Sequence, residues 1–198
     1  MEETFFTYVR RGVDHVLDVN GYDHLLFLMV LAVPYVFKDW KRVLLLVTLF
    51  TLGHTLSLIL ATYDVVSVNS KLVEFLIPVT ILITAVYNVF TAGKKDKGKK
   101  IGLLFFATLF FGLIHGLGFA RYLNMIADQS VSKLKLLVAF ALGIEIAQVI
   151  IVFVVLFLGY LFQTIFRFSR RDWVMVLSAV VVGLVIPMII QSDLLNAS

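Results

Sequence analysis

Six stretches of the chain are apolar almost without interruption, with short polar or charged segments between them. They run over about 22–37, 43–62, 72–92, 101–122, 134–162 and 173–190. An α-helix needs roughly 20 apolar residues to cross about 30 Å of hydrocarbon, and these stretches come near that length. Residues 4–17 have a different rhythm. Phe5, Phe6, Val9, Val13, Val16 and Leu17 fall on one side at helical spacing, with Arg10, Arg11 and Asp14 away from them. This segment is too short and too charged to span, and predicts an amphipathic helix lying at the interface. Asn20-Gly21 is a turn signal before the first span. The expected fold is all-α: a polytopic membrane helical bundle of six transmembrane helices plus a short N-terminal interfacial helix. Residues 1–198 form a single integral membrane domain in this reading.

Composition supports the class. The chain is 61% hydrophobic and 15% charged, with a mean hydropathy of +0.99. A soluble domain of this length could not bury that much apolar surface. The Met1-Glu2-Glu3 start lacks a basic n-region and no small-residue cleavage site follows, so no signal peptide is expected. There is no cysteine, which excludes disulfides and thiolate metal sites. The net charge of +4 reflects basic residues in short loops, and no basic face with interleaved aromatics suggests a nucleic-acid partner.

Those loops set an orientation. Lys38, Lys41, Arg42, Lys94, Lys95, Lys97, Lys99, Lys100, Arg167, Arg170 and Arg171 lie on one side, eleven in all, including the basic loop 93–100. Arg10, Arg11, Lys71, Arg121, Lys133 and Lys135 make six on the other. The positive-inside rule then puts both termini outside the cytoplasm.

Candidate chemistry clusters on the outer side of that topology. The chain has four histidines. His15 and His24 sit at the start of the first span, with Asp14, Asp18 and Asp23 among them. His115 lies near the outer end of the fourth span, and Glu74 opens the third. His54 and Glu145 are each eleven residues into a span, about 16 Å deep at 1.5 Å per residue. Ionisable residues inside membranes are costly and usually mark a site. A lone membrane histidine is more often an interhelical hydrogen-bonder, but here histidines and acids converge on one half.

The local settings suit metal ligation. The N-terminal dipole of a helix beginning near His24 disfavours imidazolium, and neutral imidazole is the metal-binding form. Asp23 and Asp18 are near enough to ligate or to orient a ring. Thr51 and Ser57, at i−3 and i+3 from His54, are expected to hold its other nitrogen. Glu145 and Gln148 share a face. Pro78 should free the carbonyl of Glu74, and Gly112 and Gly116 flank His115 with room for a neighbouring helix. Imidazole plus carboxylate suits nickel, cobalt, zinc or iron without choosing among them.

Four segments carrying these residues resemble the HupE/UreJ family. GVDHVLDVNGYDHLLFL at 12–28 resembles its Gly-x-x-His and Gly-x-Asp-His-Leu-Leu-Phe pattern. FTLGHTLSL at 50–58, FFGLIHGLGFA at 110–120 and FALGIEIAQ at 140–148 follow in the family's order. Thr55 stands where Ser is usual, and Ala141 where Asn is expected. The resemblance puts His15, Asp23, His24, His54, His115 and Glu145 at motif positions; Asp18, Glu74, Thr51, Thr55, Ser57 and Gln148 are the supporting residues in this reading. It implies a permease for nickel or cobalt in a bacterial cytoplasmic membrane, with the metal ion and the lipid bilayer as partners and room for a homo-oligomer. Two other functions fit the same residues. One is an intramembrane zinc-type hydrolase acting on a lipid or lipidated substrate, with Glu145 or Asp23 as general base. The other is a metal-binding accessory protein.

Overall fold

A computed structural model describes residues 5–18, 21–94, 101–126 and 132–196. Asn20 and residues 95–100 of the basic loop lie outside the described residues. Every described regular element is helical: α1 (Phe5–Val16), α2 (Asp23–Ala32), a 3-10 turn (Phe37–Asp39), α3 (Trp40–Thr62), α4 (Ser70–Thr91), α5 (Ile101–Ile126), α6 (Lys133–Thr164) and α7 (Arg170–Ile190).

Local chemistry sets several of these ends. Asn69 caps α4 by accepting from the Lys71 amide at 3.0 Å. Ser169 caps α7 by accepting from the Asp172 amide at 3.0 Å. Pro34 follows the end of α2, where a proline disfavours continued helix. Asp39 then accepts from the Val36 amide at 3.1 Å and closes the 3-10 turn that leads into α3.

The helix count departs from expectation by one. Five helices among the described residues, α3 to α7, are long and apolar enough to cross a membrane. The first apolar stretch, expected over 22–37, yields only α2, with ten residues. At 1.5 Å per residue it is about 15 Å long, half the hydrocarbon thickness. Hydropathy assigned its polar start to the membrane surface. In the fold His24 is buried within protein and Asp23 is half-buried beside it, so α2 needs to reach only one surface.

Backbone contacts at glycines join the helices. α3 and α5 run parallel. Gly53 faces the Leu109 carbonyl, Gly112 the Phe50 carbonyl, and Gly116 both the His54 carbonyl and Ser57; a Cβ at any of the three would collide. α1 meets α6 in the same way, Gly12 against Phe140 and Gly143 against Val9. The buried face of α1 is therefore Tyr8, Gly12 and Val16, while Phe5 and Phe6 are exposed. α6 is antiparallel to α3, with Lys133 Nζ donating to the Thr62 carbonyl at one end and Phe37 beside Phe153 at the other. α4 pairs with α7. α2 lies among α4, α6 and α7, and Asn88 Nδ2 of α4 donates to the Val30 carbonyl at 2.6 Å.

One end of the bundle gathers Pro34, Gly93, Arg170 and Arg171. Arg170 donates to the Pro34 carbonyl, and Gly93 lies against the Arg171 side chain. Trp173 and Val33 are buried together there. Leu45, Leu52, Ile83, Phe106 and Val154 face outward as an apolar belt suited to lipid.

The glycine contacts give a stability test. Gly112→Ala forces the α3 and α5 backbones apart and is expected to destabilise the protein by about 1–3 kcal/mol. That is roughly 2–12 °C in the unfolding midpoint for a chain of this size. Gly183 has nothing within 4 Å of its would-be Cβ. Gly183→Ala should leave the midpoint unchanged or raised. Scanning fluorimetry in detergent separates the two outcomes.

Candidate metal centre

Four helices each bring one histidine to the same place. His15 ends α1, His24 opens α2, His54 is in α3 and His115 in α5. The α3–α5 glycine contact surrounds His54 and His115, and the α1–α6 contact lies one turn before His15. Ring nitrogens of His15, His24 and His54 lie within 4.8 Å of one another. His24 is the centre of the set: its ring centroid is 4.6 Å from that of His15, 5.6 Å from His54 and 5.5 Å from His115.

The rings are enclosed. His24, His54 and His115 are 2%, 0% and 1% exposed, and His15 is partly buried. Along α3 the cluster is eight residues from Thr62, about 12 Å, and fourteen from Trp40, about 21 Å. It therefore lies nearer the Thr62 end of the bundle.

Unmet hydrogen-bonding capacity is the main property of the cluster. His15 Nε2, both nitrogens of His24, both of His54 and His115 Nε2 are buried with no hydrogen-bond partner. Each such group costs about 1–3 kcal/mol, so a fold gains nothing by gathering them unless something else pairs them. His115 shows how one ring is prepared. Its Nδ1 lies 2.8 Å from the Phe111 carbonyl, which only accepts, so Nδ1 carries the proton. Nε2 is then the bare nitrogen, buried without a partner on a ring beside His24. Asp23 Oδ1 approaches His24 Nδ1 at 3.4 Å and brings the one carboxylate in contact with the rings among the described residues. Burial, reinforced by the neighbouring His24 ring, holds the His15 imidazole down to about 3. That direction favours the neutral imidazole, the form that ligates a metal. The donor set fits a divalent transition ion: imidazole suits nickel, zinc, copper and iron.

Glu145 stands apart from the rings. It accepts from Thr48 at 2.7 Å and from Thr51, and Thr51 also contacts Gln148 Oε1 at 3.0 Å. This group of oxygens joins α3 to α6 one turn along α3 from His54. The shared face of Glu145 and Gln148 is as expected, but both turn toward Thr51. Thr51 and Ser57 do not hold the His54 ring. Thr51 is engaged with α6, and Ser57 donates to the His54 backbone carbonyl at 2.9 Å, as helical hydroxyls commonly do. Thr55 Oγ1 is buried without a partner next to His54. Glu74 is exposed at the start of α4, and Asp18 lines an apolar groove with Val16 and Tyr22. On α4, Thr80 and Thr84 donate to their own helix, at the Ile77 and Thr80 carbonyls.

Sequence reasoning missed the aromatic shell. Phe119 lies 3.7 Å from His15, and Phe50 lies 5.0 Å from His115, ring centre to ring centre. The signal was present as helical spacing: Phe27, Phe50, Phe111 and Phe119 each stand three or four residues from a histidine.

The profile described as HupE / UreJ protein matches residues 1–192, and the chain belongs to that family. The family is associated with nickel and cobalt transport or accessory function. No curated protein and no solved structure matches the chain.

The geometry ranks the residues. His24→Ala, which removes the ring touching the other three, should lower nickel affinity at least about 100-fold, roughly 2.7 kcal/mol. Glu145→Gln, outside the rings, should change it less than about tenfold. Metal content after equilibrium dialysis of the purified protein, read by mass spectrometry, would refute this ranking if the two variants fell equally.

Proposed function

We propose that this HupE/UreJ protein carries a divalent transition metal, nickel or cobalt, through the bacterial cytoplasmic membrane, with His15, His24, His54 and His115 as the transient ligands and Asp23 as their carboxylate. The carrying observation is the set of buried ring nitrogens without partners, drawn from four helices at one level inside an apolar bundle. A purely structural use of four histidines would pair them with one another or with backbone.

Transport accounts for the enclosure better than hydrolysis does. A hydrolase needs an open ligand position reachable by water and substrate. Here three rings are at most 2% exposed and phenylalanines lie against them. A carrier must bind the ion away from both surfaces for part of its cycle, and ligands on four separate helices can be parted again by modest helix movements.

Orientation belongs to the same reading. Lys38, Lys41, Arg42, Lys94, Arg170 and Arg171 gather toward the Pro34–Gly93 end, which makes it the cytoplasmic end by the positive-inside rule. The termini and the shorter path to the cluster then face outward. Lys38→Cys should be labelled by an impermeant thiol reagent only from the cytoplasmic side.

Uptake of radioactive nickel or cobalt into proteoliposomes holding this protein alone tests the function. Wild type should accumulate the ion, and His54→Ala should lose at least about 90% of the initial rate, a loss of about 1.4 kcal/mol or more in transition-state terms. Stoichiometric binding with no movement into vesicles, under any imposed ion gradient, would transfer the protein to the accessory class.

A further inference from the structure

The histidines stand on a floor of aromatic rings. Phe27 follows His24 by three residues, Phe50 precedes His54 by four, and Phe111 precedes His115 by four. α2 leaves the cluster toward Pro34, whereas α3 and α5 arrive at it from that end. The three phenylalanines therefore fall on one side of the imidazoles, the side of Pro34 and Trp40. Phe27 and Phe50 are stacked at 4.6 Å with planes 26° apart, and both are 0% exposed. Phe50 is 6.1 Å from His24, 6.3 Å from His54 and 5.0 Å from His115; Phe27 is 5.3 Å from His115 and 6.2 Å from Phe111.

Below them on α2 and α3 come Leu31, Leu46 and Val47, all buried. The polar side chains near that level are engaged between helices or on their own backbone, Asn88 with the Val30 carbonyl, Thr51 with Glu145 of α6 and Thr108 with the Leu104 carbonyl. The stacked rings themselves form an apolar constriction of the kind that stops ions by excluding water. The opposite side has its own cover. Phe119, four residues beyond His115, lies against His15 and stacks on Phe140 at 5.0 Å with planes 7° apart.

The two parts of the floor are held differently. Phe50 and Phe111 belong to α3 and α5, whose backbones touch at Gly53, Gly112 and Gly116 and cannot part without breaking those three contacts. Phe27 belongs to α2, which has ten residues, no glycine contact, and non-helical segments at both ends. Its described side-chain hydrogen bond to a neighbouring helix is the one from Asn88 to the Val30 carbonyl.

We propose that the Phe27–Phe50 stack is the barrier between the histidine site and the cytoplasmic end, and that it opens when α2 shifts and carries Phe27 off Phe50. Phe119 is the corresponding barrier on the other side, so that the ion is enclosed between two aromatic layers. This assignment rests on the transport reading, but the barrier is measurable without transport.

The experiment follows release of bound radioactive nickel from the full-length protein in proteoliposomes. An impermeant chelator is placed outside or inside, and the orientation is fixed by labelling at Lys38→Cys. Phe27→Ala and Phe50→Ala should speed release on the cytoplasmic end at least about tenfold, while release on the other end stays within about twofold. Phe119→Ala should do the reverse. Asn88→Leu unties α2 without touching a ring, and should also speed cytoplasmic-end release; it keeps the test decisive if a phenylalanine variant fails to fold. Unchanged release in the variants that fold, or equal acceleration at both ends, overturns the barrier. If wild type moves no metal but release remains sided in this way, the barrier stands and the transport reading falls. If wild type transports and the variants release like wild type, the barrier falls alone.

Discussion

Two helix backbones approach closely only where no Cβ stands between them, and the contact of α3 with α5 at Gly53, Gly112 and Gly116 is the constraint on which this molecule turns. It sets His54 and His115 side by side at a fixed depth. Once they are placed, α1 and α2 each need to deliver only one ring to the same level. α1 does so through a second backbone contact, Gly12 against α6. α2 does so by starting inside the bundle instead of at a membrane surface.

That arrangement has an energetic cost which indicates its use. Six buried ring nitrogens lack partners, in a setting where each costs about 1–3 kcal/mol. Hydrophobic side chains of similar size would serve packing better. The protein keeps imidazoles, fixes one of them through the Phe111 carbonyl, and sets the Asp23 carboxylate beside another. A metal ion is the partner that satisfies several such lone pairs at once.

Much of this was legible in the chain. The four histidines stood out because ionisable groups in apolar runs are rare, and Gly112 and Gly116 around His115 signalled close approach. The spacing of Glu145 and Gln148 showed their common face. Three things were hidden. Hydropathy takes a polar residue at the head of an apolar run to mark the membrane surface, so the burial of His24 and the shortness of α2 could not be seen. Side-chain direction was a second gap: Thr51 shares a helix with His54, but its hydroxyl is drawn to the carboxylate of α6, which no local pattern reveals. Third, the phenylalanines near the histidines carried no separate signal, and it is the packing of α2 against α3 that puts Phe27 over Phe50.

The central claim is that these imidazoles, not carboxylate oxygens, hold the ion. X-ray absorption spectroscopy of the nickel-loaded protein tests it most directly. The account predicts a first shell dominated by imidazole nitrogen, with the outer-shell scattering of at least about three rings, and loss of that pattern in His24→Ala. A shell of oxygen donors, unchanged by His24→Ala, would contradict it.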